Sequence, residues 1–205
     1  TIKIIAHDLE KQFKNQDDVK KDIQLLSSQV ERCNEILKRL TLNPVEEDEF
    51  IDKDISMKDY LSEIITSFKE ISQKKFIFNH DQFSNQKKIT KSIEIVYGLR
   101  NFIGNANKFS KDKIHITLKS DSEITEITIE DDGNGYPKDV LSKIGEPYLR
   151  TKDPIDKSKT GLGLGLFIGK TLLEKNFASI NCRNSKTRIG AEVVIKWNNK
   201  DLFNI

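Results

Sequence analysis

Apolar residues fall into two regimes along the chain. Over residues 1–43 they repeat at helical spacing. Ile2, Ile5, Leu9 and Phe13 share one helical face. Asn15-Gln16-Asp17-Asp18 then reads as a turn and helix N-cap. Val19, Ile23, Leu26, Val30, Cys33, Leu37 and Leu40 follow with gaps that alternate four and three, which is a heptad seam. The pattern predicts a helical hairpin whose seam needs cover. Antiparallel pairing with dimerisation into a four-helix bundle supplies it, and so does docking on the chain's own domain.

Asn43-Pro44 and the acidic Glu46-Glu47-Asp48-Glu49 mark a break. Beyond it helix and strand signals alternate. Met57 to Phe68 reads as a helix, Lys75 to Asn79 as a short strand and Ile89 to Phe109 as a helix. Ile114–Leu118 and Ile124–Ile129 alternate with period two and predict a hairpin through Ser120-Asp121-Ser122. Gly161 to Lys175 reads as a helix opened by glycines, and Ser179–Arg183 and Ala191–Trp197 as closing strands. Consecutive antiparallel strands with segregated helices predict an α+β sandwich rather than a doubly wound parallel sheet. The expected boundaries are 1–44 for the hairpin and 49–205 for the sandwich.

Composition narrows the class. The chain has 205 residues, enough for one large domain or a small one beside a medium one. Hydrophobic residues make up 36% and charged residues 32%, and apolar residues recur in every segment, so the composition is globular rather than disordered. No apolar run approaches the roughly 18–20 residues that a membrane helix needs. A formal net charge of +2 argues against a nucleic-acid partner. Two cysteines, Cys33 and Cys182, are too few for a disulfide scaffold or a paired-cysteine metal site, and a reduced, cytoplasmic setting is expected. Thr1 opens directly into the apolar pattern, so the chain is expected to be a piece of a longer protein.

Three local patterns carry chemistry. In Asn101-Phe102-Ile103-Gly104-Asn105-Ala106-Asn107-Lys108, Asn101 and Asn105 stand four apart on one helical face, and Lys108 joins it. Amide oxygen is a hard neutral ligand suited to Mg²⁺, and an ammonium suits phosphate. A solvated polar stripe would look the same. In Asp131-Asp132-Gly133-Asn134-Gly135, a carboxylate at a strand end can accept from an exocyclic amine such as that of adenine, and Gly133 and Gly135 allow close backbone approach. A plain Asp-Gly turn uses the same residues. In Thr160-Gly161-Leu162-Gly163-Leu164-Gly165, glycines before a helix form an anion cradle or a packing turn. The Gly-Lys-Ser/Thr ending of a Walker loop is absent. Residues 145–160, with Gly145, Pro147, Pro154 and several basic side chains, read as a lid over a nucleotide.

Taken in order, these motifs resemble the N, G1 and G2 boxes of sensor histidine kinases, which share the Bergerat ATP-binding fold with the gyrase, Hsp90 and MutL ATPases. The resemblance covers residues 49–205. It implies that Asn105 is the Mg²⁺ ligand with Asn101 beside it, that Lys108 reaches the phosphates, and that Asp131 binds the adenine amine. It also implies that Gly133 and Gly135 shape the adenine pocket, and that Gly161, Gly163 and Gly165 line the phosphate side. Glu146-Pro147-Tyr148 resembles the F box, with Tyr148 in the usual Phe position. Asn101 stands where the gyrase-like ATPases carry a general-base Glu, and an amide cannot serve as that base.

Ser28-Gln29-Val30-Glu31-Arg32-Cys33-Asn34-Glu35-Ile36-Leu37 is similar to the redox box of RegB/PrrB-type redox-sensing kinases. That resemblance implies a redox role for Cys33; its heptad position alone predicts a buried, inert thiol. The same family has a phosphoacceptor box ending in Thr-Ile, which Thr1-Ile2 would match, placing the acceptor His upstream. His7-Asp8-Leu9 is the competing acceptor, although no Pro follows it in the usual place.

The implied protein is the cytoplasmic catalytic portion of a two-component sensor histidine kinase. It would bind ATP and Mg²⁺, form a homodimer and pass a phosphoryl group from a His to an Asp of a response-regulator receiver domain. The whole protein would be anchored in a bacterial inner membrane. The alternatives are a serine kinase or ATPase of the same fold, and a nucleotide-regulated redox-sensing dimer without kinase activity. This piece is expected to bind Mg·ATP without phosphorylating itself.

Overall fold

The structure is a computed structural model that describes Ile23 and residues 55–81, 88–89, 92–147, 163–186 and 188–203. The chain divides into two units, Thr1–Glu47 and Asp48–Ile205, and the elements below belong to the second. Ile23, on the expected seam, is helical and buried. The remainder of the expected hairpin, including His7 and Cys33, lies outside the described residues.

The elements are β1 (Ile55–Ser56), α1 (Met57–Ile71), β2 (Lys75–His80), β3 (Lys88–Ile89), α2 (Ile93–Phe109), β4 (Lys113–Ser120), β5 (Ile124–Asp131), α3 (Lys138–Leu141), α4 (Gly165–Lys175), β6 (Ser179–Asn184), β7 (Ala191–Asn198) and α5 (Asn199–Leu202). Five strands form one sheet in the order β2-β4-β5-β7-β6, and β1 pairs with β3 apart from it. The expected α+β class with a Bergerat-type sandwich is what the second unit shows.

Local chemistry explains the elements. The Ser56 hydroxyl accepts from Asp59 N–H at 3.1 Å and caps α1. Tyr60, Leu61, Ile64, Ile65 and Phe68 are the buried face of that helix, at i, i+3, i+4 spacing. Ser92 caps α2 through Ile95 N–H. This cap corrects the expected helix start at Ile89. Ile89 instead sits in β3 opposite Ile55, 2% exposed, and the chain turns into the helix only at Ser92. In the β4–β5 turn, Asp121 accepts from the N–H groups of Glu123 and Ile124, each at 2.7 Å, which fixes the hairpin read from the sequence.

The sheet is two-faced. Ile114, Ile116 and Leu118 of β4, Ile127 and Ile129 of β5, and Val193, Ile195 and Trp197 of β7 point into the core with the buried faces of α1 and α2 and Leu173 of α4. Each such fully buried aliphatic side chain contributes about 1.5–3 kcal/mol relative to exposure. The opposite face is polar. Lys196 pairs with Glu126 at 2.7 Å, and Arg183 with Glu192 through two contacts of 2.7 and 2.8 Å. Both pairs join residues that the strand register sets opposite each other.

Strand β2 runs parallel to β4, with Phe76 opposite Ile114 and Phe78 opposite Ile116. This parallel pair joins the consecutive antiparallel strands of the expected α+β class and leaves that class unchanged. The connection between these strands contains α2, which supplies the crossover that a parallel pair requires. Helices α2 and α4 approach closely. A Cβ at Gly169 would lie 3.0 Å from Asn101 Cβ and 3.0 Å from the Phe102 ring, so only glycine there lets α4 sit this near α2.

Candidate functional site

The period-two alternation of β5 puts Asp131 on the same face as Ile127 and Ile129, so the strand ends with a carboxylate aimed into the core layer. Asp131 is 4% exposed. Its Oδ1 accepts from Gly133 N–H at 2.8 Å and from Ala191 N–H at 3.2 Å. Burial pushes its pKa above the ordinary carboxylate value, and the two N–H donors partly offset this. Gly190 is held at φ +133°, and a Cβ there would fall 1.9 Å from the Asp131 carbonyl oxygen, so the β6–β7 turn closes on Asp131 only with glycine at 190.

Asp132 faces the other way. Its carboxylate accepts from the N–H groups of Lys111 (2.7 Å), Asp112 (3.1 Å) and Lys113 (3.0 Å). Burial works against its ionised form, but the three donors outweigh it and hold the pKa below the usual value. This carboxylate ties the turn after α2 to the loop after β5.

The end of α2 therefore meets the Asp131–Gly135 loop, and a Cβ on Gly133 would lie 2.4 Å from the Phe109 carbonyl oxygen. Asn101, Asn105 and Lys108 all lie on α2, partly buried. Asn101 Nδ2 donates to the Tyr97 carbonyl at 2.8 Å. Its Oδ1 lies 3.4 Å from the Cβ position of Gly165, the first residue of α4. Lys108 Nζ sits 5.3 Å from the centre of the Phe109 ring. The Asn-bearing helix is thus the shared wall between the Asp131 loop at its C-terminal end and the start of α4 at Asn101.

A family model described as histidine kinase-, DNA gyrase B-, and HSP90-like ATPase matches residues 90–201. The chain belongs to that family. It is also similar to sensor histidine kinase RegB of Cereibacter sphaeroides, at 27% identity over 215 residues, which covers 96% of this chain and 46% of that relative. The chain thus spans about half the length of the curated relatives it matches most fully. Two solved structures share the fold. The mycobacterial sensor histidine kinase MprB aligns with a TM-score of 0.58 at 18% identity, covering 72% of this chain and 97% of that one. Full-length ShkA in complex with AMPPNP aligns with a TM-score of 0.60 at 17% identity, covering 96% of this chain and 42% of that one.

Within this member of the ATPase family, Gly163 stands at φ +69° just before α4 and Gly165 is that helix's first residue. The expected helix start at Gly161 is therefore early by four residues: positive φ at Gly163 is incompatible with a helical turn there. Tyr148 and Gly161 lie outside the described residues, as does the expected lid from residue 148 to 160. Among the described residues no group of three His, Cys, Asp or Glu side chains could hold a metal. No helix among them is long and apolar enough to cross a membrane.

Two residues at this site had no role in the sequence reading. Tyr136 is buried directly after the glycine loop, and burial pushes its pKa well up. Asn184, at the end of β6, contacts it across 48 positions of sequence. No local pattern marks such a pair.

Proposed function

We propose that residues 49–205 are the ATP-binding catalytic domain of a sensor histidine kinase. The observation that carries this reading is Asp131: a buried carboxylate with raised pKa at a strand end, its backbone hemmed by Gly190 and its loop resting on the Asn-bearing helix. A carboxylate is not placed there for stability, because its burial opposes folding. It can accept a hydrogen bond from the amine of adenine, which ties recognition to the base.

In this reading Asn105 offers its amide oxygen to Mg²⁺ with Asn101 beside it, and Lys108 and the Gly163–Gly165 turn face the phosphates. Bound Mg²⁺ would neutralise phosphate charge, and these residues orient the nucleotide for in-line transfer. Gly133, Gly135 and Tyr148 border the base, and Gly161 extends the phosphate side. Asn101 cannot take a proton from water, which favours transfer to a protein side chain over hydrolysis.

The whole protein passes the phosphoryl group to a histidine and then to an aspartate of a response-regulator receiver domain. Residues 1–44 serve as part of a dimerising hairpin in which Cys33 responds to redox state, and the intact protein is membrane-anchored with this part in the cytoplasm. The similarity to RegB over 96% of the chain supports this extension.

Calorimetric titration of Mg·ATP into the 205-residue chain tests the core of the reading. Binding is expected in the parent. Asn105→Asp and Asp131→Asn should each weaken it at least about tenfold, the scale of one lost hydrogen bond to a charged or metal-bound group. A parent that binds no nucleotide overturns it.

A further inference from the structure

The loop that follows Asp131 is held from the opposite side of the site by one amide. Asn184 Oδ1 accepts from Tyr136 N–H at 2.6 Å, and Asn184 Nδ2 donates to the Tyr136 carbonyl at 3.0 Å. Both backbone hydrogen-bonding groups of Tyr136 are thus satisfied by a single side chain, which acts as a one-residue strand neighbour for a segment outside the sheet.

The rest of Tyr136 is anchored on the same strand. Its buried side chain lies beside Cys182, which stands two positions before Asn184 and so on the same face of β6. Gly135 makes room for the arrangement. It has φ +75°, and a Cβ there would lie 2.6 Å from Asn184 Oδ1. Asn184 is also the register partner of Ala191, whose N–H donates to Asp131. Gly133 N–H donates to the same carboxylate oxygen. These contacts form a closed circuit: Asp131 to Ala191, across the strand pair to Asn184, through its amide to Tyr136, and back along the glycine loop to Asp131.

We propose that Asn184 is a positioning residue of this pocket: its amide latches the Gly133–Tyr136 loop to β6 and thereby sets the placement of that loop beside the Asp131 carboxylate. The latch stands on the hydrogen bonds alone. Its consequence for a ligand rests on the adenine-nucleotide reading of the site.

The experiment separates the two. Hydrogen exchange of the nucleotide-free chain is measured in the parent, Asn184→Ala and Asn184→Asp; the last keeps an acceptor for Tyr136 N–H and loses the donor. In Asn184→Ala the Tyr136 amide should exchange at least about tenfold faster while the β4–β5 amides of Ile127 and Ile129 keep their rates, and Asn184→Asp should fall between. Titrations with ATP and with inosine triphosphate, which lacks the exocyclic amine, then read the pocket. Asn184→Ala should lose about tenfold for ATP and much less for inosine triphosphate, narrowing the preference between them. An unchanged Tyr136 amide overturns the latch, and equal losses for both nucleotides overturn its role in placing the Asp131 loop. A parent that prefers neither nucleotide overturns the adenine reading while the exchange rates still judge the latch.

Discussion

Leu173 of α4 closes over the α-carbon of Gly98 in α2: a Cβ added at residue 98 would lie 2.5 Å from Leu173 Cγ. Leu173 is fully buried, so its side chain has nowhere to swing. Gly98→Ala should therefore push the two helices apart and cost about 1–3 kcal/mol, the usual range for overpacking. Leu173→Ala alone should cost about 2–5 kcal/mol as a cavity. In the double variant the added methyl occupies part of that cavity, so the combined loss should be smaller than the sum. Urea denaturation of the four proteins measures the coupling. Strict additivity would mean that the helices do not meet at this pair.

Asp131 works against folding and for recognition, so its removal should move the two in opposite directions. Asp131→Asn keeps an oxygen for the Gly133 and Ala191 N–H groups and deletes a buried charge. A carboxyl whose folded pKa is raised costs nothing below its unfolded pKa and its full penalty above its folded pKa. The variant should therefore be more stable than the parent at pH 7, by about 1 kcal/mol or roughly 2–4 °C in Tm, while binding nucleotide less well. The gain should vanish as pH falls below about 4, where the parent's carboxyl is protonated in both states. Thermal melts at both pH values check the sign, and a variant less stable at pH 7 refutes the argument.

The neighbouring Asp132 should behave in reverse. Its carboxylate satisfies three successive N–H groups at the end of α2, and those donors hold its pKa down. The stability it contributes is present above the unfolded pKa and is lost as pH falls through the lower folded value. Asp132→Ala should cost about 1–2 kcal/mol at pH 7. Its deficit against the parent should shrink as pH falls below the unfolded carboxylate pKa, a lower range than the one in which the Asp131→Asn advantage disappears. Two adjacent carboxylates with opposite pH signatures would be hard to explain by any global effect of charge.

What could be read from the sequence follows the range of the interactions involved. The β4–β5 hairpin was legible because its alternation and the Asp121 turn are both local. Asp131 was legible as a strand-end carboxylate, and its burial follows from continuing the alternation of Ile127 and Ile129. The start of α2 was misplaced because Ile89 fits a helical period, whereas its pairing with Ile55 draws it into a strand. The parallel pairing of β2 with β4 was invisible because it depends on how α2 packs, not on either strand's pattern. The Asn184–Tyr136 contact is of the same kind: Asn184 looks like any polar strand residue until the fold brings the glycine loop to it.

On the polar face of the sheet, His115 Nε2 lies 3.0 Å from the Arg188 guanidinium. A guanidinium only donates, so the ring must be neutral and accept at Nε2. Glu130, the register partner of His115, pairs with Arg188 at 3.4 Å and accepts from Ser185 Oγ at 2.8 Å, which fastens these two residues of the β6–β7 turn to the sheet. Lys113 and Asp132 are the other charged groups that act on the ring. Burial lowers the His115 pKa most and Arg188 lowers it further, while Glu130 raises it. NMR titration should therefore place it below the ordinary value of about 6.5. Arg188→Ala should move it up and Glu130→Gln should move it down. Because the folded pKa is depressed, the contribution of His115 to stability is full above the unfolded pKa and is lost as pH falls from there towards the folded value. Charging the ring sets two cations against each other, so Arg188 should leave His115 first and take its hold on the turn with it. A ring pKa that neither substitution moves would show that burial alone sets it and that the turn is indifferent to the histidine.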